Sequence, residues 1–240
     1  MTQWFAGADG CRGGWVVVLL GHGSASEAFV CASVAEVIAL PQAPSVIAID
    51  VPIGLPETAI KGGRVCCNLA RARLGARQSS VFSVPARPAL AAHEYREACG
   101  INVLNSNPPR KLAKQTFNIM DRIREVDALM TPALQARVFE CHPELAFTVM
   151  NGERPLDLPK KIRNRPYPEG LRLRRALLKE VGISVPRPPK APLGIRFGED
   201  DLLDACACAF AARRIARGEA LRLPPEPATD ARGLRMEINA

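Results

Sequence analysis

Three apolar runs in this chain each stop at a single acid. Phe5 to Ala8 leads into Asp9, Val46 to Ile49 into Asp50, and Arg137 to Phe139 into Glu140. A fourth cluster, Asp200, Asp201 and Asp204, opens the apolar run from Leu202 to Ala216. A strand that ends in a carboxylate puts that charge at the sheet edge, where ligands of open α/β sheets gather. Carboxylates converging there repel one another unless cations lie between them, so the pattern points to a divalent-metal site holding Mg2+ or Mn2+. Two-metal phosphoryl chemistry asks for such a set. Its acids hold cations about 3.5–4 Å apart, one activating water and one stabilising the leaving oxygen. A first-strand aspartate (Asp9), a central-strand aspartate (Asp50) and a pair of helix acids would supply it. Asp201 and Asp204 share a helix face, and so do Asp200 and Asp204, so either can partner Asp204.

Each acid also has a plainer reading. Asp9 before Gly10 could be a turn residue, and Asp50 before Val51-Pro52 could cap a turn. Glu140 could pair with an arginine, and Asp200 or Asp201 could cap the helix.

The net charge is +8, from 32 basic and 24 acidic residues, and the excess is clustered. Residues 61–96 carry Lys61, Arg64, Arg71, Arg73, Arg77, Arg87 and Arg96 against Glu94 alone, and residues 160–190 are similarly basic. Basic stretches beside acidic strand ends suit a polyanion whose phosphates meet a metal, and a solvated basic face is the simpler account. Arg12, Arg64, Arg71, Arg77 and Arg87 could grip phosphates through paired N–H groups, or equally balance the acids. Gln115 and Lys114 could line the same cleft, though helix-surface roles are commoner. Lys160 and Lys161 read best as part of a basic loop. Cys66, Cys67, Cys141 and His142 lack the paired knuckles of a zinc site. A Cys67–His142 nucleophile pair rests on residue type only.

The elements that must position these groups follow from apolar periodicity. Residues 3–9, 15–20 and 27–31 read as a three-strand meander, with turns at 11–14 and 21–24. Ser33 is placed to cap a short helix over 34–40. Residues 45–50 form a buried strand stopped by Pro52. Helical patterns follow at 68–74, 88–99 and 114–130, the last with Phe117, Met120, Ile123, Val126 and Met130 at helical spacing. A strand over 138–141, a short helix from Pro143, a loop over 151–169 and a basic helix over 171–181 come next. Residues 185–197 read as loop, and 199–217 form the strongest helical pattern. Residues 234–238 suggest a last edge strand. The expectation is one domain over 1–240, with a helical insertion at about 57–135.

Composition narrows the class. Apolar residues make up 48% of the 240, enough for a large buried core. No apolar run reaches the roughly 18 residues needed to span a bilayer, and Met1-Thr2-Gln3-Trp4 opens no secretory pattern. Eight cysteines without framework spacing fit reduced thiols, so the sequence predicts a cytoplasmic protein with no membrane partner. There is no G-x-G-x-x-G and no G-x-x-x-x-G-K-[ST], which disfavours dinucleotide and P-loop binding.

The segments GADGCRGGWVV, IAIDVPIGLP, ARARLGARQSSVFSVPAR, KQTFNIMDRIREVDALM, FECHPELAF, EDDLLDACACAFAA and RGLRMEI together resemble the predicted-nuclease family with an RNase H-like fold, known as domain of unknown function 429. The resemblance implies a mixed α/β sheet, three antiparallel strands plus parallel ones, with helices on both faces. It implies that Asp9 takes the place of the first-strand acid that bridges both metals. Asp50 and Asp204 would then hold one ion each, with Glu140 or Asp201 completing the shell or orienting water. Arg12, Arg64, Arg71, Arg77 and Gln115 would bind substrate. The family often has Cys-Asp where this chain has Cys67-Asn68. The activity so implied is metal-dependent hydrolysis of phosphodiester bonds in nucleic acid, RNA or DNA. A non-catalytic nucleic-acid-binding or regulatory module of the same fold is the alternative. An actin-like nucleotide phosphotransferase, which also starts with a glycine-aspartate strand and hairpin, is the third.

Overall fold

The computed structural model describes residues 3–21 and 26–240, so the turn expected at 21–24 lies mostly outside the described residues. Strands β1 (Phe5–Cys11), β2 (Gly14–Leu20) and β3 (Ser26–Cys31) form an antiparallel meander. Strands β4 (Val46–Ile49) and β5 (Val138–Glu140) extend it in parallel, in the order β3-β2-β1-β4-β5. Mixed α/β architecture with an antiparallel meander and parallel strands is therefore the fold. Every residue of β2 and β4 is buried, which is why these runs read as continuously apolar rather than alternating.

Register decides where the acids go. Ala8 of β1 pairs with Ile49 of β4, so Asp9 and Asp50 come next on adjacent parallel strands. The Asp50 amide donates to the Ala8 carbonyl at 3.0 Å, holding the two ends together. Ile49 pairs in turn with Glu140, and the Cys141 amide donates to the Ile49 carbonyl at 2.9 Å.

Helices cover both faces. Helix α1 (Val34–Ile38) starts at Ser33, whose hydroxyl accepts from the Glu36 amide, as expected of that cap. Helices α2 (Val65–Leu74), α3 (Tyr95–Leu104), α4 (Lys114–Asn118) and α5 (Met120–Leu129) lie in the segment between β4 and β5, joined by 3-10 turns and loops. The expected helix over 88–99 is instead a 3-10 turn, Arg87–Ala91, followed by a break and then α3. The expected helix over 114–130 is divided at Ile119, whose φ of −104° and ψ of 1° leave the α region. Helices α6 (Pro143–Met150), α7 (Pro168–Glu180) and α8 (Glu199–Ala216) follow β5. The expected loop at 151–169 contains a short hairpin, Lys161–Ile162 against Arg165–Pro166. Near the C-terminus, Ile238–Asn239 pairs with Arg222–Leu223 in a small two-stranded ladder, and Asn239 also bridges in parallel to Cys141, just past the edge strand β5.

Alternation along β1 divides its side chains between the two helical layers. Gly10 faces α5, where a Cβ would come within 3.3 Å of the Arg122 side chain. Gly7 faces α8, and Asp9, two residues on, shares that face. A Cβ at Gly7 would lie 2.0 Å from the Ala209 amide nitrogen and 2.2 Å from the Ala205 carbonyl oxygen. Only glycine permits so close a seat. Helix α8 suits it, being buried from Leu202 to Ala212 and rich in alanine and cysteine. One buried cluster runs from Phe5 to Ala240 and takes in both helical layers.

Candidate active site

The strand ends and the start of α8 enclose a cleft of about 490 Å3. Asp9, Asp50, Glu140, Glu144, His142, Cys67, Lys160 and Lys161 line it, with Arg64, Arg77, Gln115 and Arg122 among the other walls. Asp50 follows the last residue of β4 as expected, whereas β1 runs on past Asp9 to Cys11, and the two acids still meet where β1 and β4 stop pairing. Asp204 lies just beneath, fully buried on the α8 face that meets β1.

Charge is the site's main physical feature. Burial pushes the Asp9 carboxyl well above its ordinary range, and Asp50, Asp204 and Asp201 push it further. Asp204 is pushed up to about 7, first by burial and then by Asp50 and Glu144, with Lys160 pulling the other way. Asp50 is raised by its burial, while His142 and Lys160 pull it down. These acids feel one another, which is what converging carboxylates should do. Lys160 supplies the compensating charge. Its ammonium donates to Asp204 Oδ2. Burial works against that ammonium, yet Asp204, Asp9 and Asp50 hold it charged. Lys161 sits beside it and pairs with Asp200 at 2.5 Å. Both lysines read as loop residues in the sequence, and both instead neutralise the acids of α8. The only local hint was a doublet of lysines in a proline-rich segment.

The three acids of α8 divide their roles. Asp201 Oδ2 accepts from the Gly198 amide at 2.7 Å and caps the helix, the plainer of its two readings. Asp200 and Asp204, one turn apart, are the buried pair. So the acid that accompanies Asp204 inward is Asp200, while Asp201 remains close enough to Asp9 to act on its charge.

Glu140 is fully engaged elsewhere. Its carboxylate makes a fork with Arg64, at 2.5 and 2.8 Å, and takes the Ile53 amide at 2.7 Å. Arg64 also donates to the Ile53 and Gly54 carbonyls. This buried pair fastens the turn after β4 to the end of β5, which is the arginine-pairing reading of Glu140. It leaves Arg64 no guanidinium edge for a substrate phosphate. Arg71 is likewise used in holding loops, donating to the Gly62 and Val81 carbonyls and to Asn68 Oδ1. Arg12 is exposed, bridges to Arg196 through the backbone and does not line the cleft. Of the expected substrate residues, Arg77 and Gln115 do line it. Arg87 binds Glu57, Asp127 and Asp230 instead. Lys114 stacks over the Tyr95 and Phe117 rings, a surface role.

All eight cysteines are buried and free. Cys67 lines the cleft, and its thiol is held well below its ordinary range by Cys66 and by Arg64, whose Nη2 is 3.4 Å away. Among the described residues, no three His, Cys, Asp or Glu side chains are gathered closely enough to hold a metal ion. The donor chemistry nevertheless fits a hard divalent cation. The acids are all oxygen donors, their mutual repulsion calls for positive charge, and Asp204 Oδ1 is buried without a hydrogen-bond partner.

Two acids that the sequence reading passed over belong to this geography. Glu144, on the first turn of α6, lines the cleft and is almost wholly buried. Arg174 of α7, fully buried, holds it at 2.5 and 3.2 Å. Asp230 is the other: its Oδ2 accepts the Leu55 amide and Arg87, which ties the chain's last segment to the turn after β4.

No helix among the described residues is long and apolar enough to cross a membrane. No curated protein matches the chain, and no solved structure does. Residues 7–229, nearly the whole length, match a family described as Protein of unknown function (DUF429), and the chain belongs to that family.

Proposed function

We propose that this chain is a divalent-cation-dependent phosphodiesterase acting on nucleic acid. The observation that carries the reading is the junction of Asp9, two residues inside the end of β1, with Asp50, just past the end of the parallel strand β4, with Asp204 beneath them and an excess of negative charge among the three. The meander extended by parallel strands supports an RNase H-like fold. The basic and polar groups at the cleft, Arg77, Gln115, Arg122 and Lys161, support a polyanionic substrate.

In this reading Asp9, Asp50 and Asp204 hold Mg2+ or Mn2+. The cation would lower the pKa of a bound water and offset charge on phosphate oxygens. The chain's own residues do the rest. Asp9 is fixed by β1, and Asp204 by the close seat of α8 on Gly7, so the separation of these two acids is set by backbone packing. Lys160 balances the acids while no cation is bound and is placed to meet an incoming phosphate. His142 lines the cleft with its Nδ1 unpartnered, within reach of a proton-shuttling role. Arg77 and Gln115 orient the strand.

The test is Asp9→Asn. Loss of Mn2+-dependent cleavage with nucleic-acid binding intact supports the enzyme. Cleavage that survives the substitution refutes it.

A second reading has its own observation. Glu140 and Asp204 already have cationic partners in Arg64 and Lys160, and among the described residues no three metal-ligating side chains are gathered closely enough for a metal. That arrangement also suits a non-catalytic nucleic-acid-binding module. Nucleic-acid binding without cleavage, across RNA, duplex and branched DNA with Mg2+ or Mn2+, would select it.

A further inference from the structure

The β5 strand raises a question of which acid it delivers. Glu140 ends the strand but is consumed: both oxygens are taken by Arg64, and one also by the Ile53 amide. Four residues on, Pro143 opens α6 and Glu144 projects from its first turn into the same cleft. Glu144 is 5% exposed. Its Oε1 is gripped by two nitrogens of Arg174, while its Oε2 has no hydrogen-bond partner. A buried carboxylate oxygen without a donor is costly, and a native structure keeps one for a reason.

Arg174 explains how the group is aimed. It is entirely buried, and besides Glu144 it donates to the Leu158 carbonyl at 3.1 Å and the Gly170 carbonyl at 2.9 Å. Leu158 lies two residues before Lys160. One guanidinium therefore orients Glu144 and anchors the segment that presents Lys160. This is the layout of an outer-shell cation behind a ligating carboxylate: one oxygen is held from behind and the other left free at the front. Glu144 and Asp50 line the same cleft, with Lys160 between the segment that Arg174 anchors and the acids.

We propose that Glu144, and not Glu140, is the acid that β5 brings to the site, and that its free oxygen takes a divalent cation together with Asp50. This rests on the phosphodiesterase reading above, and the test separates the two. Mn2+ binding to the full chain is measured by calorimetry and by the loss of free-ion signal in electron paramagnetic resonance. Wild type is compared with Asp9→Asn, Glu144→Gln and the double variant Glu144→Gln/Arg174→Met. The double variant matters because Glu144→Gln alone strands the buried Arg174 charge.

Asp9→Asn and the double variant should each weaken Mn2+ binding by about tenfold or more, the scale of losses at designed ligand shells. The EDTA-treated double variant should still unfold cooperatively, at a lower temperature because the Leu158 and Gly170 carbonyls lose the Arg174 donor. If Asp9→Asn weakens binding and the double variant does not, Glu144 only ties α6 to α7; this inference falls and the enzyme reading stands. If wild type binds no Mn2+, both fall. If the double variant does not fold, Glu144→Asp decides, since it keeps the Arg174 partner and withdraws the carboxylate by one methylene. Wild-type Mn2+ affinity in that variant overturns the inference.

Discussion

Asp204 should make this protein less stable at pH 8 than at pH 5 when no divalent cation is present. Its carboxyl is raised from an ordinary value of 3.8 to about 7, chiefly by complete burial. The sign follows from proton counting. Between these two values the folded chain keeps a proton on Asp204 that the unfolded chain has released, so raising the pH drains the folded state. The window from pH 5 to about 7 covers about 2 pH units, at roughly 1.36 kcal/mol each, so the loss by pH 8 is at most about 3 kcal/mol. Asp9, raised for the same first reason, adds to the loss with the same sign. Urea unfolding in EDTA at half-unit steps from pH 5 to pH 8 measures the effect, with Asp204→Asn as the comparison. The substitution leaves the Lys160 ammonium without its partner, but that side chain is about one-third exposed and can turn to water. Wild type should lose stability across the window, and Asp204→Asn should lose distinctly less. Asp9 loses the push of Asp204 in that variant, so the difference between the two proteins reports the coupled pair rather than Asp204 alone. Equal slopes would show that Asp204 is already ionised in the folded state, and the burial argument would be wrong.

Three further outcomes follow from the packing. Arg64→Met should cost about 3–5 kcal/mol, because it leaves the Glu140 carboxyl buried without its cationic partner, while Arg64→Met/Glu140→Gln should recover part of that in a thermal melt. Gly7→Ala should cost at least the 1–3 kcal/mol or so typical of overpacking, since the atoms in the way belong to the α8 backbone; a wild-type melting temperature would contradict the close seat. If the partner is a polyphosphate strand, the logarithm of affinity should fall linearly with that of salt, and Arg77→Ala should flatten the slope by about one phosphate's worth, roughly 0.7–0.9. Salt-independent binding would exclude that partner class.

Much of the frame was readable because it is local. Continuous apolar runs marked β2 and β4, and Ser33 marked the start of α1, since strands and caps are short-range events. Asp9 and Asp50 could be singled out because an acid at the end of an apolar strand is anomalous by itself. Partnerships could not be read. Glu140 is joined to Arg64, Lys160 to Asp204 and Glu144 to Arg174 across long stretches of chain, and no periodicity records such pairs. The division of roles among Asp200, Asp201 and Asp204 turned on which side of α8 meets β1, a matter of helix rotation by a single residue. The break at Ile119 was hidden because Phe117 to Met130 keeps its helical spacing straight through it.

The seat of α8 on Gly7 also has a consequence for the order of events during synthesis. Strand β1 is made before the helix that covers its Gly7 face, with β2 to β5 and seven helices between them. Until then the sheet can zip together through β2 and β4, but the Gly7–Asp9 face has nothing to rest against. The acids of β1 and β4 thus wait, uncovered, for the one that completes them. A chain stopped before α8 has the sheet but leaves its Gly7–Asp9 face without the helix that buries it.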